Sequence, residues 1–162
     1  MILSDISLKK LLPDLIRKTE RDESLVNPAS IDIRVGDTML AEDGPGMWRK
    51  VDLSVRTYLL KPKEFALVSV YEWITVPNGY AVELKLKSSR AREGYNHSLA
   101  FYVDPGWVGI LTMEISNVTR YTELPLFRGL KIGQIIVHTL DQHAENPYSG
   151  RYNHATQVEA VR

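Results

Sequence analysis

Apolar and polar positions along the chain switch from a period near 3.6 to a period near 2. Ser4 followed by Asp5 marks a helix start, and Leu8, Leu11, Leu12 and Leu15 then share one face. This predicts a helix over 4–18, with Pro13 limiting it to a couple of turns or kinking it. In ASIDIRVGD, Ile31, Ile33 and Val35 alternate with Asp32, Arg34 and Gly36, the signature of a strand. A loop, AEDGPGMW, follows, then strand-like segments at about 55–60 and 65–76, the second closed by Pro77, Asn78 and Gly79. The clearest alternation is YAVELKLK, with Tyr80, Val82, Leu84 and Leu86 opposite Glu83, Lys85 and Lys87. In GILTMEIS the apolar Leu111, Met113 and Ile115 put Thr112, Glu114 and Ser116 together on the other face. LKIGQIIVHTL is the last strong strand, and from about Asn146 the pattern fades into what reads as a loosely tethered arm. Many short strands with one good helix predict an all-β sandwich or barrel.

Composition narrows this without changing it. A chain of 162 residues, 44% hydrophobic and 25% charged, suits one domain with a real core, and no linker or repeat divides it. Twenty basic against twenty acidic side chains give no net charge, so no basic excess is present to hold nucleic acid or an anionic membrane. The absence of cysteine excludes disulfides, iron–sulfur clusters, thiolate catalysis and the zinc deaminases, whose metal requires Cys ligands. No apolar run reaches membrane-spanning length, and the charged start MILSDISLKK is unlike a signal peptide. The expected compartment is the cytoplasm.

Candidate chemistry is sparse. His97, His138, His143 and His154 have no metal-ligand spacing. The segment KSSRAREG gathers Ser88, Ser89, Arg90 and Arg92 before Gly94 at a strand end. Hydroxyls and guanidinium forks there suit a phosphate, although a solvated loop has the same composition. Asp104 opens an Asp-Pro-Gly turn ahead of Trp107, and a hairpin turn explains that string by itself. Glu114 stands on the polar face of an otherwise apolar strand, so it either meets water or lines a site.

In chain order, SIDIRVG, KSSRAREG, AFYVDPGWVGILTMEISN, LKIGQIIV and PYSGRY resemble the dCTP deaminases of the trimeric dUTPase superfamily. The resemblance covers nearly the whole chain and rests on two signatures, Arg-Ser-Ser-x-Ala-Arg-x-Gly and Ile-Asp-Pro-Gly-Trp-x-Gly. It implies a mainly β fold, a distorted β-barrel or jelly-roll-like β-clip with a short N-terminal helix. It further implies one domain over 1–162, residues 146–162 closing over the site, and a homotrimer with active sites between subunits.

The resemblance also implies roles. Glu114 falls on the family's proton shuttle, which deprotonates a water for attack at cytosine C4 and then protonates the departing ammonia. Ser88 and the Ala100 carbonyl would hold that water, and Arg92 would position and polarise the site. Asp104 and Trp107 would lie near the deoxyribose. Lys87, Ser89, Arg90, Gln134, Tyr148 and Arg151 would bind the triphosphate, with Mg²⁺ carried on its oxygens, and dTTP is a candidate inhibitor. Lys87 stands where the signature has Arg, Phe101 and Tyr102 replace the family's usual pair, and the arm ends NHATQVEAVR. Ala100, where plain dUTPases are expected to carry Asp, favours deamination of dCTP to dUTP. The alternatives are a bifunctional enzyme or dUTPase giving dUMP and pyrophosphate, and a non-catalytic nucleotide sensor.

Overall fold

A computed structural model describes residues 1–17, 19, 21–98 and 102–160. Helix α1 (Asp5–Leu15) leads into β1 (Ile16–Arg17), a 3-10 turn at Glu23–Leu25, β2 (Val26–Asn27), β3 (Ser30–Glu42) and β4 (Trp48–Asp52). Then come β5 (Tyr58–Leu60), β6 (Phe65–Thr75), β7 (Tyr80–Leu86), α2 (Ser88–Glu93), β8 (Tyr95–His97) and β9 (Tyr102–Val103). The last strands are β10 (Val108–Asn117), β11 (Leu124–Leu126) and β12 (Lys131–Thr139).

The main sheet runs β8-β10-β6-β3-β12-β7-β9 with every neighbouring pair antiparallel. Strands β1, β2 and β4 pair at its margins, and β5 and β11 form a separate ribbon. β3 carries the curvature. Ile31–Arg34 pair with β12, whereas Val35–Ala41 pair with β6, with a register shift between Val35 and Met39. Gly36 sits in that shift, where a Cβ would come 2.6 Å from Ser69 Oγ and 2.8 Å from the Val70 carbonyl, so only glycine admits so close an approach. The sheet curls into a half-barrel, with the alternating residues of β3, β10 and β12 meeting inside: Ile31, Ile33, Val35, Met113, Ile115, Ile135 and Val137 are all essentially inaccessible. The mainly β, barrel-like expectation matches this architecture.

Four local expectations change. The helix ends at Leu15 rather than at 18. Pro13 falls in its last turn, and Ile16–Arg17 turn to pair with β6. Ser4 holds the N-cap position without a side-chain cap bond. Trp48–Asp52, left inside and just beyond a predicted loop, pair with β3, and the strand predicted from about 55 begins at Tyr58. Among the described residues no helix is long and apolar enough to cross a membrane.

One buried ion pair lies where β3 changes partners. Glu72 on β6 is wholly inaccessible, and it accepts from the Arg34 backbone N–H at 2.9 Å and from Arg34 Nε at 2.7 Å. Burial pushes the Glu72 carboxyl up and the Arg34 contacts pull it partly back. The Arg34 guanidinium also lies 4.6 Å from the Tyr71 ring centroid. Replacing Glu72 with Ala strands this cation, and removing one partner of a buried pair costs about 3–5 kcal/mol. The Glu72→Ala variant is therefore expected to unfold at a markedly lower urea midpoint, and an unchanged midpoint would show the pair to be dispensable.

Candidate active site

β10 alternates strictly: Gly109, Leu111, Met113, Ile115 and Asn117 are buried, while Ile110, Thr112, Glu114 and Ser116 face outward. That outer face is covered. A cavity of about 550 Å³ has Ile110, Thr112 and Glu114 of β10, Phe65 and Leu67 of β6 and Trp48 of β4 among its lining residues. The turn from Tyr102 to Trp107 contributes to its wall, and Tyr148, Tyr152, Ala155, Gln157 and Glu159 of the C-terminal segment close it.

Glu114 is half-buried, and its Oε2 accepts no hydrogen bond among the described residues. Burial raises its pKa, with its own backbone N–H opposing. A carboxyl group so placed holds a proton more readily than an exposed carboxylate, which suits a group that must both take and return one. His97 of the adjacent β8 brings Nδ1 to 3.9 Å from Glu114 Oε2, and burial lowers the imidazole to about 4. It is therefore neutral at physiological pH and supplies no cation to draw the Glu114 pKa back down. The Ser98 N–H donates to the Glu114 carbonyl at 3.1 Å, fixing the strand beside the carboxyl group.

Of the residues singled out by sequence, Glu114, Asp104, Trp107 and Tyr148 line this cavity. The Asp104 carbonyl accepts from the Trp107 N–H at 3.2 Å, closing the anticipated turn, and the Trp107 and Tyr148 rings lie 5.7 Å apart. Ala100 lies outside the described residues. Ser88, Ser89, Arg90 and Arg92 do not line the cavity. They form α2, a short helix where a strand-end loop was expected, which Gly94 ends with φ 105°. Ser88, Ser89 and Arg92 are exposed, and Arg90 Nη1 pairs with Glu93 at 2.7 Å.

Lys87 and Gln134 are engaged elsewhere. Lys87 Nζ forms an ion pair with the buried Asp32, which also accepts from Asn27 Nδ2 at 2.8 Å. Gln134 Oε1 accepts from Ser30 Oγ at 2.9 Å. Lys87 thus anchors the strand end ahead of α2 within this chain. Arg151 borders a separate recess with Leu40, Gln157 and Val158. Within this chain the expected site is therefore divided into a Glu114 cavity and an α2 cluster.

Sequence patterning placed Thr112 beside Glu114 but missed Trp48, Phe65, Leu67 and Tyr152. β4 was unrecognised, and long-range pairing alone puts Phe65 and Leu67 next to β10.

The segment after Asn146 is not loosely tethered. The His154 N–H donates to the Val108 carbonyl at 2.6 Å, the Ile110 N–H to the Ala155 carbonyl at 2.8 Å and the Tyr148 N–H to the Pro105 carbonyl at 2.7 Å. Asn153 Oδ1 accepts from the Val108 N–H at 2.9 Å. Gly109 makes this approach possible: its φ is 145°, and a Cβ there would lie 2.8 Å and 2.9 Å from the Ala155 O and N. Strain of roughly 1–3 kcal/mol in a Gly109→Ala variant would fall on that junction. Trypsin cleavage at Arg151 is expected to become about tenfold faster at 1.4 kcal/mol of loosening, with the barrel intact by circular dichroism. Unchanged cleavage would show that Gly109 does not hold the segment.

The sequence model of the dCTP deaminase-like family matches residues 2–140. A protein of Thermobifida fusca (strain YX) named dCTP deaminase, dUMP-forming, is 36% identical over 163 residues, covering 91% of this chain and 83% of that protein. One of the same name from Streptomyces avermitilis is 36% identical over 169 residues, covering 94% and 87%. Among solved structures, the 2'-deoxycytidine 5'-triphosphate deaminase of Agrobacterium tumefaciens superposes with a TM-score of 0.73 at 25% identity, over 86% of this chain. The match spans only 48% of that longer chain. A mutant dUTPase of Staphylococcus aureus phage phi11, described as coordinating a structural Mg(II) ion, shares the fold with a TM-score of 0.53 at 17% identity, over 87% and 95%. Sequence and fold agree, and this chain belongs to the dCTP deaminase-like family.

Proposed function

We propose that this protein converts dCTP to dUMP in two hydrolytic steps. Water first replaces the C4 amino group, giving dUTP and ammonia. A second water then cleaves the α–β phosphoanhydride, giving dUMP and pyrophosphate. The half-buried, proton-tuned Glu114 carries the first step, and the relatives named dUMP-forming support the second. Their names displace the reading drawn from Ala100, in which dUTP is the end product.

Glu114 takes the proton of the attacking water and returns it to the leaving amine, general acid–base work worth about 10²- to 10⁴-fold. Asp104 and Trp107, at the cavity wall, hold the deoxyribose, and the buried Trp107 Nε1, which has no acceptor among the described residues, is a donor available to it. Ser88 and Arg92 reach Glu114 from a neighbouring protomer of a homotrimer, because in one protomer α2 does not line the cavity. On the same reading Ser89, Arg90 and Arg151 meet the triphosphate, Tyr148 closes over it, and residues 146–162 act as the lid.

Among the described residues no three acidic or imidazole groups converge as a metal cage. A Mg²⁺ ion carried on the triphosphate oxygens needs few protein ligands and would neutralise phosphate charge there.

Incubation of the protein with dCTP and Mg²⁺, followed by ion-exchange separation, is expected to give dUMP and pyrophosphate. Accumulation of dUTP alone would reject the second step. Glu114→Gln is expected to lower deamination by at least about 10²-fold with folding unchanged, and retained turnover would reject the shuttle. Because burial raises the Glu114 pKa, the base form is lost at a higher pH than for an exposed carboxylate. The acidic limb of kcat/KM should therefore lie above the ordinary Glu range of about 4.3. A limb at that ordinary value would assign the titration to another group.

A further inference from the structure

Glu114 lies between two dissimilar neighbours. On one side is β8, whose end supplies the buried His97 and the Ser98 N–H bound to the Glu114 carbonyl. On the other is β6, where Leu67 stands directly opposite Glu114 and Phe65 opposite Ser116. Residues opposed across an antiparallel pair share a face, so the Leu67 side chain flanks the Glu114 carboxyl. Trp48 extends this apolar floor, its ring 6.0 Å from that of Phe65 in an edge-to-face arrangement.

A cytosine ring has a matching asymmetry. N3 and O2 are hydrogen-bonding groups on one side of C4, while C5 and C6 form an apolar edge on the other. With C4 held at Glu114, the C5 edge lies over Leu67, Phe65 and Trp48, and N3 and O2 turn away from that apolar floor. Among the described residues β4 and β6 contribute Trp48, Phe65 and Leu67 to the cavity, none of them charged, and the Trp48 indole N–H is the one hydrogen-bonding group on their side chains. A small group at C5 would find apolar contact there and displace no polar partner.

We propose that the site accepts cytosine deoxynucleoside triphosphates carrying a small substituent at C5, of which the 5-methyl nucleotide is the simplest. The inference rests on the deaminase reading above. The step is the same hydrolysis: water adds at C4, the C4–N bond breaks, the Glu114 proton leaves with ammonia, and 5-methyl-dCTP becomes dTTP. Where the second step follows, the products are dTMP and pyrophosphate.

Initial rates with dCTP and 5-methyl-dCTP, measured as released ammonia, decide the matter. A pocket closed to one extra methyl rejects it by about 10- to 200-fold. A kcat/KM for 5-methyl-dCTP within tenfold of that for dCTP is the expected result. Normal dCTP turnover with a larger deficit for the methylated substrate overturns this inference and leaves the deaminase reading standing, whereas failure of both substrates overturns that reading itself. Leu67→Phe, which narrows the floor, is expected to lower the 5-methyl-dCTP to dCTP ratio of kcat/KM by at least tenfold. An unchanged ratio in a folded variant means that C5 does not face Leu67 and overturns the proposed pose. If Leu67→Phe does not fold, the wild-type comparison alone decides.

Discussion

The structure depends on how closely β3 can approach β6 at Gly36. A side chain there would collide with Ser69 and the Val70 carbonyl, and without that approach the strand would not pass from β12 to β6. Because one strand serves both halves of the sheet, the sheet curls and buries the alternating residues of β3, β10 and β12 in one core. The Arg34–Glu72 pair sits beside this crossing and satisfies a backbone N–H as well as a guanidinium nitrogen. A charge is tolerable at full burial there because it has several donors to meet it.

Curling has a chemical result. It turns the polar face of β10 outward and then allows the Tyr102–Trp107 turn and the C-terminal segment to cover it. Glu114 is therefore neither free in water nor sealed in the core, and partial desolvation tunes its proton affinity. The neutral His97 adds no cation to offset that effect. The cluster of Ser88, Ser89, Arg90 and Arg92 on α2 lies apart, anchored at its root by Lys87 and Asp32. On the proposed reading one half takes the base and the other the triphosphate, and assembly of several protomers would bring them together.

Much of this was legible in the sequence because period-2 alternation encodes burial directly. β3, β7, β10 and β12 were found where Ile, Val and Leu alternate with polar residues, and Glu114 stood out as the acid between Thr112 and Ser116 on the outer face of β10. The signatures then identified the family. β4 escaped notice because WRKVD carries only Val51 as a buried residue and borrows its order from β3. KSSRAREG passed for a loop because α2 is six residues long with no buried side chain, so it shows no amphipathic period. The partners of Lys87 and Gln134 were not legible for another reason: Asp32 and Ser30 are distant in the chain and meet them only across paired strands.

The C-terminal segment also has a mechanical consequence for how molecules of this protein meet. On the side of Val108–Ile110 facing away from β6, the His154 N–H and the Ala155 carbonyl occupy backbone groups that would otherwise form an open strand edge. Such an edge is a template for strand addition by any extended peptide, including another copy of the same chain. By closing it from within, the segment acts as an internal guard against edge-to-edge polymerisation. A chain shortened before Asn153 would carry an adhesive margin beside its own active strand.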